Sequence, residues 1–360
     1  MSEIKIGEKS VGGDHPTYFI ADISANHDGD LERAKELILL AAEMGADAAK
    51  FQNFRAAEIV SDYGFRSIDD QVSHQAKWEG SVFEVYEGAS IPFEWSTELA
   101  EACREASIHY FSSPYDFEAV DQLEHYFPAI KIGSGDITWL EIIERIASKG
   151  KPVLLATGAS DLEDVQRAAD AILAINADLV LMQCNTNYTG SLENFDHIHL
   201  NVLETYRELY PEVVLGLSDH TPGHATVLGA VALGARVVEK HFTDDPTRAG
   251  PDHPFSMDPK AWRDMVDRTR ELERAMGSES KKIADNEMET VVIQRRCLRA
   301  ARDLEAGETL SREMISVLRP ATAGAIQPFE VENAVGTKVL EDIQTGEALL
   351  WSMLKGNDGS

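Results

Sequence analysis

Eight short apolar runs, each followed by a stretch with helical periodicity, fill the chain from residue 18 to about residue 276. Parallel strands that are buried on both faces read as continuous apolar runs. The stretches between them, such as DLERAKELILLAAEMG, repeat apolar residues every three or four positions and predict amphipathic helices. The predicted strands are YFIADI (18–23), DAAKF (47–51), IHYFS (108–112), AIKIG (129–133), PVLLAT (152–157), DLVLMQC (178–184), VVLGLS (213–218) and RVVEK (236–240).

Eight strand-then-helix units over roughly 250 residues predict a (β/α)8 TIM barrel. A doubly wound open sheet is the alternative, but the G-x-G-x-x-G fingerprint that often accompanies it is absent from the sequence. One connection is long, because more than forty residues separate Phe51 from the helix predicted to start near Ser96. Loops of that length are uncommon unless they cover a site or a partner.

The pattern changes after residue 276, where the polar stretch MGSESKKIADNE (276–287) indicates a linker. Short strands and turn signals follow from Thr290 to Lys355, and AGE and TGE repeat one strand-turn motif. We therefore predict a TIM-barrel catalytic domain over residues 1–276, a linker over 277–289 and a small β-rich domain over 290–356.

Composition excludes several classes of partner. With 62 acidic and 33 basic residues, the net charge of −29 disfavours binding to nucleic acid or to an anionic membrane. No apolar run reaches the roughly 18 residues of a membrane helix and no signal peptide precedes the first strand, so we expect a cytoplasmic protein. Cys103, Cys184 and Cys297 are widely spaced without a C-x-x-C pair, and we interpret them as structural thiols.

Polar residues follow nearly every predicted strand, and in a TIM barrel the carboxyl ends of the strands form the active-site face. Lys50 and Lys131 each lie within apolar sequence, and a buried Lys needs an anionic partner or a catalytic task. We predict an anion site for phosphate or carboxylate, with an internal salt bridge as the alternative for either Lys alone. The hydroxyl residues expected in this site are Ser113, Ser134, Thr157, Thr186 and Ser218.

Two histidines follow the seventh and eighth predicted strands, which are neighbours in a barrel. His220 and His241 can therefore meet over one divalent metal ion, with Asp136 or water completing the shell. A cation held by two neutral ligands keeps its charge to polarise an oxygen atom. Lys240 precedes His241 in a strand and points the opposite way, so we expect it to pair with an acid outside the barrel lining.

An ordered set of motifs resembles the sialic acid synthase (N-acetylneuraminate synthase) family, which also includes synthases of legionaminic, pseudaminic and related nonulosonic acids. The resemblance covers nearly the whole chain. It implies a TIM barrel followed by an antifreeze-like SAF domain, and a homodimer in which each SAF domain caps the partner's barrel. The motifs that carry it are ADISANHDGD, AAKFQNF, YFSSPYD, IKIGSGD, LLATGAS, GLSDHT, VEKHFT, AGPDHPFSM and the late LRP.

The resemblance implies condensation of phosphoenolpyruvate with an open-chain N-acyl mannosamine-type sugar, with release of phosphate and a requirement for Mn²⁺, or alternatively Mg²⁺ or Co²⁺. Lys50 and Lys131 would hold phosphoenolpyruvate together with Ser113, Ser134, Thr186 and Ser218. His220 and His241 would hold the metal. Asp22, Gln52, Tyr188 and Asp252 would face the sugar, and Arg319 of LRP would reach its acyl group from the partner subunit. The catalytic residues would be Asp136, Lys50 and Lys131, with Asp136 acting on the reacting water.

Several positions depart from the family's usual pattern. Asp22 and Asp136 stand where Glu is usual, and Ala156 stands where a Ser that contacts phosphoenolpyruvate often lies. Thr186 replaces the common Asn or Ser, and the small domain reads LRPATAG rather than LRPG. The identity of the amino sugar therefore stays open. Two other functions stay open as well: a keto-acid aldolase with Lys131 as the Schiff-base nucleophile, and a catalytically decayed barrel that binds sugar.

Overall fold

A computed structural model of the chain describes residues 2–68, 75, 78 and 80–355. These residues fall into two compact units, which divide between Gly277 and Ser278. Across the described part of the chain, no helix is both long enough and apolar enough to span a membrane.

The first unit is built on an eight-stranded parallel sheet, and all eight predicted strands are confirmed to within two residues at each end. The hydrogen-bonded order is β5-β4-β3-β10-β9-β8-β7-β6, and β5 lies in contact with β6, so the sheet curls into a barrel. The strands are β3 (Tyr18–Asp22), β4 (Ala48–Asn53), β5 (His109–Pro114), β6 (Ile130–Ile132), β7 (Val153–Ala156), β8 (Leu179–Cys184), β9 (Val214–Asp219) and β10 (Val237–His241).

Helices connect successive strands, as the 3.6-residue periodicity predicts. Many begin at a residue whose side chain accepts a hydrogen bond from the first turn, such as Asp30 and Asp161. In its described residues, the long second connection contains three short helices. The helices of the first unit are α1 (Leu31–Glu43), α2 (Ala56–Ile59), α3 (Asp62–Arg66), α4 (Val82–Ala89), α5 (Trp95–Glu105), α6 (Phe117–Leu123), α7 (Leu140–Ala147), α8 (Leu162–Leu173), α9 (Val202–Leu209), α10 (Ala225–Ala232) and α11 (Pro259–Met276).

Strand residues alternate between two apolar cores. Residues such as Phe19 and Leu155 pack outward against the helices, whereas their neighbours Ile20 and Leu154 pack into the barrel interior. Each strand continues this alternation to its carboxyl end. The inward-facing residues beyond the interior core therefore point their side chains into the candidate site.

An antiparallel hairpin of β1 (Glu3–Ile6) and β2 (Lys9–Gly12) precedes the barrel, and the sequence analysis did not predict it. Ile4, Ile6 and Val11 join the interior core together with residues of the barrel strands such as Tyr18 and Val214. The hairpin therefore covers the amino-terminal end of the barrel.

The second unit has a separate apolar core that includes Leu298, Leu304, Ile326 and Leu349. The turns AGE and TGE each place glycine in the left-handed region, with φ of 92° at Gly307 and 82° at Gly346. Its elements are α12 (Met288–Gln294), β11 (Cys297–Ala300), β12 (Ile315–Leu318), α13 (Val331–Ala334), β13 (Lys338–Val339) and β14 (Leu354–Lys355).

Ile6→Ala tests whether the hairpin closes the barrel. Ile6 is fully buried in the interior core, so its truncation should leave a cavity and lower the free energy of unfolding by about 2–5 kcal/mol. Urea denaturation followed by circular dichroism measures the change. Ile175→Ala, at a side chain that is 49% exposed, is the control and should change the free energy by less than about 0.5 kcal/mol. Equal effects of the two substitutions would contradict the closing role.

Candidate active site

Inward-facing charged residues gather at the carboxyl end of the barrel. In the strand register, Asp22 of β3 lies beside both Lys50 of β4 and His241 of β10, and Glu239 of β10 lies beside Ser218 of β9. All of these side chains are buried. The topology thus brings together residues that are up to about 200 positions apart in the sequence.

Both buried lysines are paired with carboxylates. The Lys50 Nζ atom lies 2.7 Å from Asp22 Oδ2 and 3.6 Å from Glu239 Oε1, and Lys131 Nζ lies 2.8 Å from the same Glu239 oxygen. The internal salt bridge left open for each Lys is therefore confirmed. We call Asp22, Lys50, Lys131 and Glu239 the lysine cluster. Asp22 Oδ1 and Glu239 Oε2 are buried without a hydrogen-bond partner among the described residues, and so is the hydroxyl of Ser113.

The charges in this cluster depend on one another. Burial tends to raise the pKa of Glu239, but Lys131 and Lys50 outweigh it and lower that pKa to about 2. Burial disfavours the Lys50 ammonium group, yet Asp22 and Glu239 raise its pKa above the usual value. For Asp22 burial prevails over the attraction of Lys50, and its pKa rises to about 6. Of these three groups, Asp22 is the one that titrates closest to neutral pH.

Small side chains, several with hydroxyl groups, pack closely beside the lysine cluster. The Gly158 amide donates to Ser134 Oγ at 2.9 Å, and a Cβ atom added to Gly158 would lie 2.4 Å from Thr186 Cγ2 and 3.1 Å from Cys184 Sγ. Glycine therefore permits this close approach. Ser218 also joins, since its Oγ lies 3.5 Å from Glu239 Oε1.

The assignment of Thr157 to the anion site is wrong. It follows the inward residue Ala156 and points outward, where its hydroxyl donates to the Met182 carbonyl and accepts from the Tyr206 hydroxyl. Asp219 also faces outward, away from the mouth, and forms an ion pair with Lys240. The prediction that Lys240 pairs with an acid outside the barrel lining is confirmed.

The two predicted metal ligands lie next to each other, with ring centroids 5.4 Å apart. Burial lowers the pKa of both His220 and His241 to about 4, so each imidazole is neutral at pH 7. His220 Nδ1 lies 2.7 Å from the Asn185 carbonyl oxygen and must donate to it, which leaves Nε2 as the nitrogen with a lone pair. His241 Nε2 lies 3.5 Å from Asp22 Oδ2, and its Nδ1 is buried without a partner among the described residues.

This pair fits a divalent cation that binds two neutral imidazoles and keeps its other positions for water or substrate. Within the described ranges, no group of three or more His, Cys, Asp or Glu side chains is placed to hold a metal. This agrees with the alternative in which water, rather than Asp136, would complete the shell, and the metal site itself stays a prediction.

A cavity of about 140 Å³ opens at the same face. Its polar lining contains four predicted residues, Gln52, Tyr188, His241 and Asp252, together with Ser24. The Asp252 Oδ2 atom accepts hydrogen bonds from Ser24 Oγ at 2.5 Å and from the Ala25 amide at 3.1 Å, which fixes that carboxylate. The apolar lining contains Phe54, Trp78, Val85, Tyr86, Ala89 and Pro251.

Much of this apolar lining belongs to the long second connection. Helix α4 contributes Val85, Tyr86 and Ala89, and the Tyr86 ring packs against Phe54 with centroids 5.4 Å apart. Described residues of this connection therefore line the cavity, as a connection that covers a site would.

Asp136 lies in the single helical turn that follows β6, and it is half-buried. Burial raises its pKa to about 6. Burial, and then the nearby Asp136 carboxylate, raise the pKa of Tyr115 well above its usual value, and Tyr115 lines the cavity. Asp136 is therefore close to the cavity. Arg319 lies in the second unit, directly after β12, and is exposed.

From the sequence, Glu239 was expected at the barrel mouth without a specific role, and Cys184 was interpreted as a structural thiol. Glu239 precedes His241 by two positions in a strand, so both must face inward, and that spacing was the available signal. Cys184 is the inward-facing last residue of β8, beside Ser134 and Ser218, and burial is the main cause that raises its pKa. Its position at the carboxyl end of a strand was the corresponding signal.

Two family models match the chain, that of the NeuB family over residues 37–281 and that of the SAF domain over residues 295–355. The chain belongs to the NeuB family. It is 34% identical to the N,N'-diacetyllegionaminic acid synthase of Legionella pneumophila, over 97% of this chain and 98% of that protein. It is 31% identical to the N-acetylneuraminate-9-phosphate synthase of Homo sapiens, over 94% of this chain and 93% of that protein.

A solved structure agrees with these NeuB-family relatives. The spore coat polysaccharide biosynthesis protein SpsE of Bacillus subtilis superposes with a TM-score of 0.65 at 29% identity, covering 99% of this chain and 100% of that one. The family resemblance is thereby confirmed. The protein is a condensing enzyme of the NeuB family, and its second unit contains the SAF domain.

Glu239→Gln tests the lysine cluster. The substitution leaves Lys131 and Lys50 with the Asp22 carboxylate alone, so the free energy of unfolding should fall by about 3–5 kcal/mol. Urea denaturation at pH 7 measures it. Glu101→Gln removes an exposed acid that pairs with Arg104 and should leave the free energy of unfolding nearly unchanged. A Glu239→Gln variant as stable as Glu101→Gln would show that the cluster does not depend on this carboxylate.

Proposed function

We propose that the protein condenses phosphoenolpyruvate with an open-chain N-acyl mannosamine-type sugar to form a nonulosonic acid, with release of inorganic phosphate and dependence on a divalent metal. The observation that carries the proposal is that two neutral imidazoles lie beside a pair of buried ammonium groups. One of these imidazoles, His241, also lines the partly polar cavity. The names of the relatives support the same product class.

Phosphoenolpyruvate would bind at the lysine cluster and at the hydroxyl residues beside it. Lys50 and Lys131 supply the charge, and the hydroxyls of Ser113, Ser134, Thr186 and Ser218 donate to phosphate and carboxylate oxygens. The cluster alone offers no excess positive charge, because Asp22 and Glu239 match the two ammonium groups. An added cation at the imidazoles would balance the charge that the ligand brings.

His220 and His241 would hold that cation, Mn²⁺ in our proposal, with Mg²⁺ or Co²⁺ as alternatives. When bound, it would supply Lewis-acid stabilisation of the negative charge that develops on the aldehyde oxygen. Gln52, Tyr188 and Asp252 would orient the sugar by hydrogen bonds to its hydroxyl and amide groups.

The reaction needs one carbon-carbon bond and one molecule of water. C3 of phosphoenolpyruvate bonds to the aldehyde carbon, water adds to the cationic C2, and the tetrahedral intermediate loses phosphate to leave the 2-keto acid. Asp136 would accept the proton of that water, a role that suits a carboxyl group whose pKa of about 6 lies close to neutrality. Lys50 and Lys131 would neutralise the departing phosphate.

The two alternative functions lack comparable support. A Schiff-base nucleophile needs an amine that is free to attack a carbonyl carbon, whereas Lys131 Nζ is held in an ion pair 2.8 Å from the Glu239 carboxylate. A decayed site would have lost some of its chemistry, yet both imidazoles and both lysines remain grouped. The homodimer, with Arg319 of one subunit reaching the acyl group in the other subunit's barrel, and the cytoplasmic location stay predictions.

A phosphate-release assay with phosphoenolpyruvate, Mn²⁺ and a panel of acylated mannosamines and 6-deoxy-diamino hexoses tests the proposed function. EDTA should stop turnover, and His220→Ala and His241→Ala should each lower it by about 10²-fold or more, because metal stabilisation is worth several kcal/mol. His224→Ala, at a half-exposed residue that pairs with Asp264, is the control and should retain activity. Unchanged rates in the two ligand variants would refute the metal assignment.

The pH profile tests Asp136. Its carboxylate is the active form, so kcat should fall as pH decreases through about 6, approaching tenfold per pH unit below that value. Asp136→Asn should lower kcat by about 10²- to 10⁴-fold at pH 7.5 and remove this acid limb. An acid limb that persists unchanged in Asp136→Asn would assign the titration to another group, such as Asp22, and refute the general-base role.

A further inference from the structure

We propose that the buried ion pair of Asp219 and Lys240 positions the two imidazoles for metal binding. The inference rests on the proposed function, since it concerns the affinity of the cation site that His220 and His241 would form. It assigns a role to the adjacent Lys and His of VVEKHFTDD (237–245), of which only the His faces the barrel interior.

The pair joins the two strands that carry the imidazoles. Asp219 ends β9 and Lys240 lies in β10, and the strand register places their Cα atoms opposite each other. Their side chains are 0% and 1% exposed and form an ion pair on the outer face of the sheet. Each partner directly precedes one of the histidines, so the pair lies behind the two imidazoles, across the thickness of the barrel wall.

Further hydrogen bonds hold the residues before and after His220, which are Asp219 and Thr221. Lys240 Nζ donates to the Thr221 carbonyl at 2.6 Å. Asp219 accepts from the Thr221 amide at 3.1 Å and from the Thr221 hydroxyl at 2.8 Å. Asp219 Oδ2 also accepts from the Thr226 hydroxyl at 2.7 Å, which ties the same carboxylate to helix α10.

The backbone of residues 219 to 221 is thus held from behind, while the ring of His220 is held from the side by the Asn185 carbonyl at 2.7 Å. Five hydrogen bonds and one ion pair define where the His220 ring sits relative to His241. A bidentate site binds a metal strongly only when its two donors are already spaced for it, because otherwise binding has to order them.

Stability alone does not explain a pair of charges in this place. Apolar residues of similar volume commonly stabilise a protein as well as a buried ion pair does, because the pair loses its hydration. A salt bridge with directional partners, however, fixes a distance that apolar contacts leave adjustable. The geometry therefore points to a positioning role.

The test is the affinity of metal-free, full-length protein for Mn²⁺, measured from the electron paramagnetic resonance signal of free Mn²⁺. The double substitution Asp219→Asn with Lys240→Met removes both charges at once and leaves no unpaired ion. We expect its Kd for Mn²⁺ to rise by about 10- to 100-fold, the usual effect of removing partners that orient metal ligands.

The matched control removes another ion pair of the same unit. Lys9 Nζ lies 2.7 Å from Asp47 Oδ1, and Asp47 also accepts from the Phe19 amide, at the amino-terminal end of the barrel. Lys9→Met with Asp47→Asn should leave the Kd for Mn²⁺ within about twofold of the wild type, because this pair lies at the opposite end from the imidazoles. Urea denaturation of both double variants shows whether any change in Kd follows from lost stability.

Thr221→Val provides a smaller change that keeps the ion pair and removes one hydroxyl donor to Asp219. We expect a Kd between those of the wild type and the double variant, so the proposal stays testable if the double variant fails to fold. Equal Kd values in wild type, Thr221→Val and the double variant would overturn the positioning role and leave the metal assignment intact. Failure of the wild type to bind Mn²⁺ would overturn the metal assignment and the positioning role with it.

Discussion

Four ionisable side chains buried inside one barrel constrain the rest of the site. Lys50, Lys131, Asp22 and Glu239 are each at most 5% exposed, and an unpaired charge at such a depth would be strongly destabilising. Their mutual pairing makes the lysines tolerable inside the fold. The same pairing removes their excess charge, so the anionic ligand of the proposed function would depend on the neighbouring hydroxyls and on a cation for its binding. The lysine cluster therefore affects the stability of the fold and would also affect the binding of an anionic ligand.

The barrel could be predicted from the sequence because its strands are apolar on both faces and its helices are amphipathic. A continuous apolar run of that kind, such as residues 178–184, is typical of a parallel strand that is buried on both faces. The amino-terminal hairpin gave a weaker signal, since β1 and β2 each have only four residues and β1 exposes alternate side chains. The length of the second connection indicated a cover over the site, but its three short helices could not be anticipated from periodicity over so few residues.

The site was predictable where strand alternation was applied and not where it was overlooked. Lys50, Lys131, Ser218, His220 and His241 all occupy inward positions at the carboxyl ends of strands. Thr157 was placed among them because it is polar and follows a strand, yet it is one residue past the last inward position. Glu239 was given no specific role because it lies within an apolar strand. Its position two residues before His241 in that strand nevertheless makes it face inward. The contribution of the second unit could not be placed in the same way, because strand alternation in the barrel carries no information about Arg319.

The amino-terminal hairpin also determines how small molecules reach the centre of the barrel. Ile4, Ile6 and Val11 fill the amino-terminal end of the barrel, whereas the cavity that Gln52 and His241 line lies at the carboxyl end. A ligand seated on the cluster lies deeper than one seated in the cavity. In the proposed condensation, a reactant on the lysine cluster would therefore have to enter before the second reactant fills the cavity, and the second reactant would then block its exit.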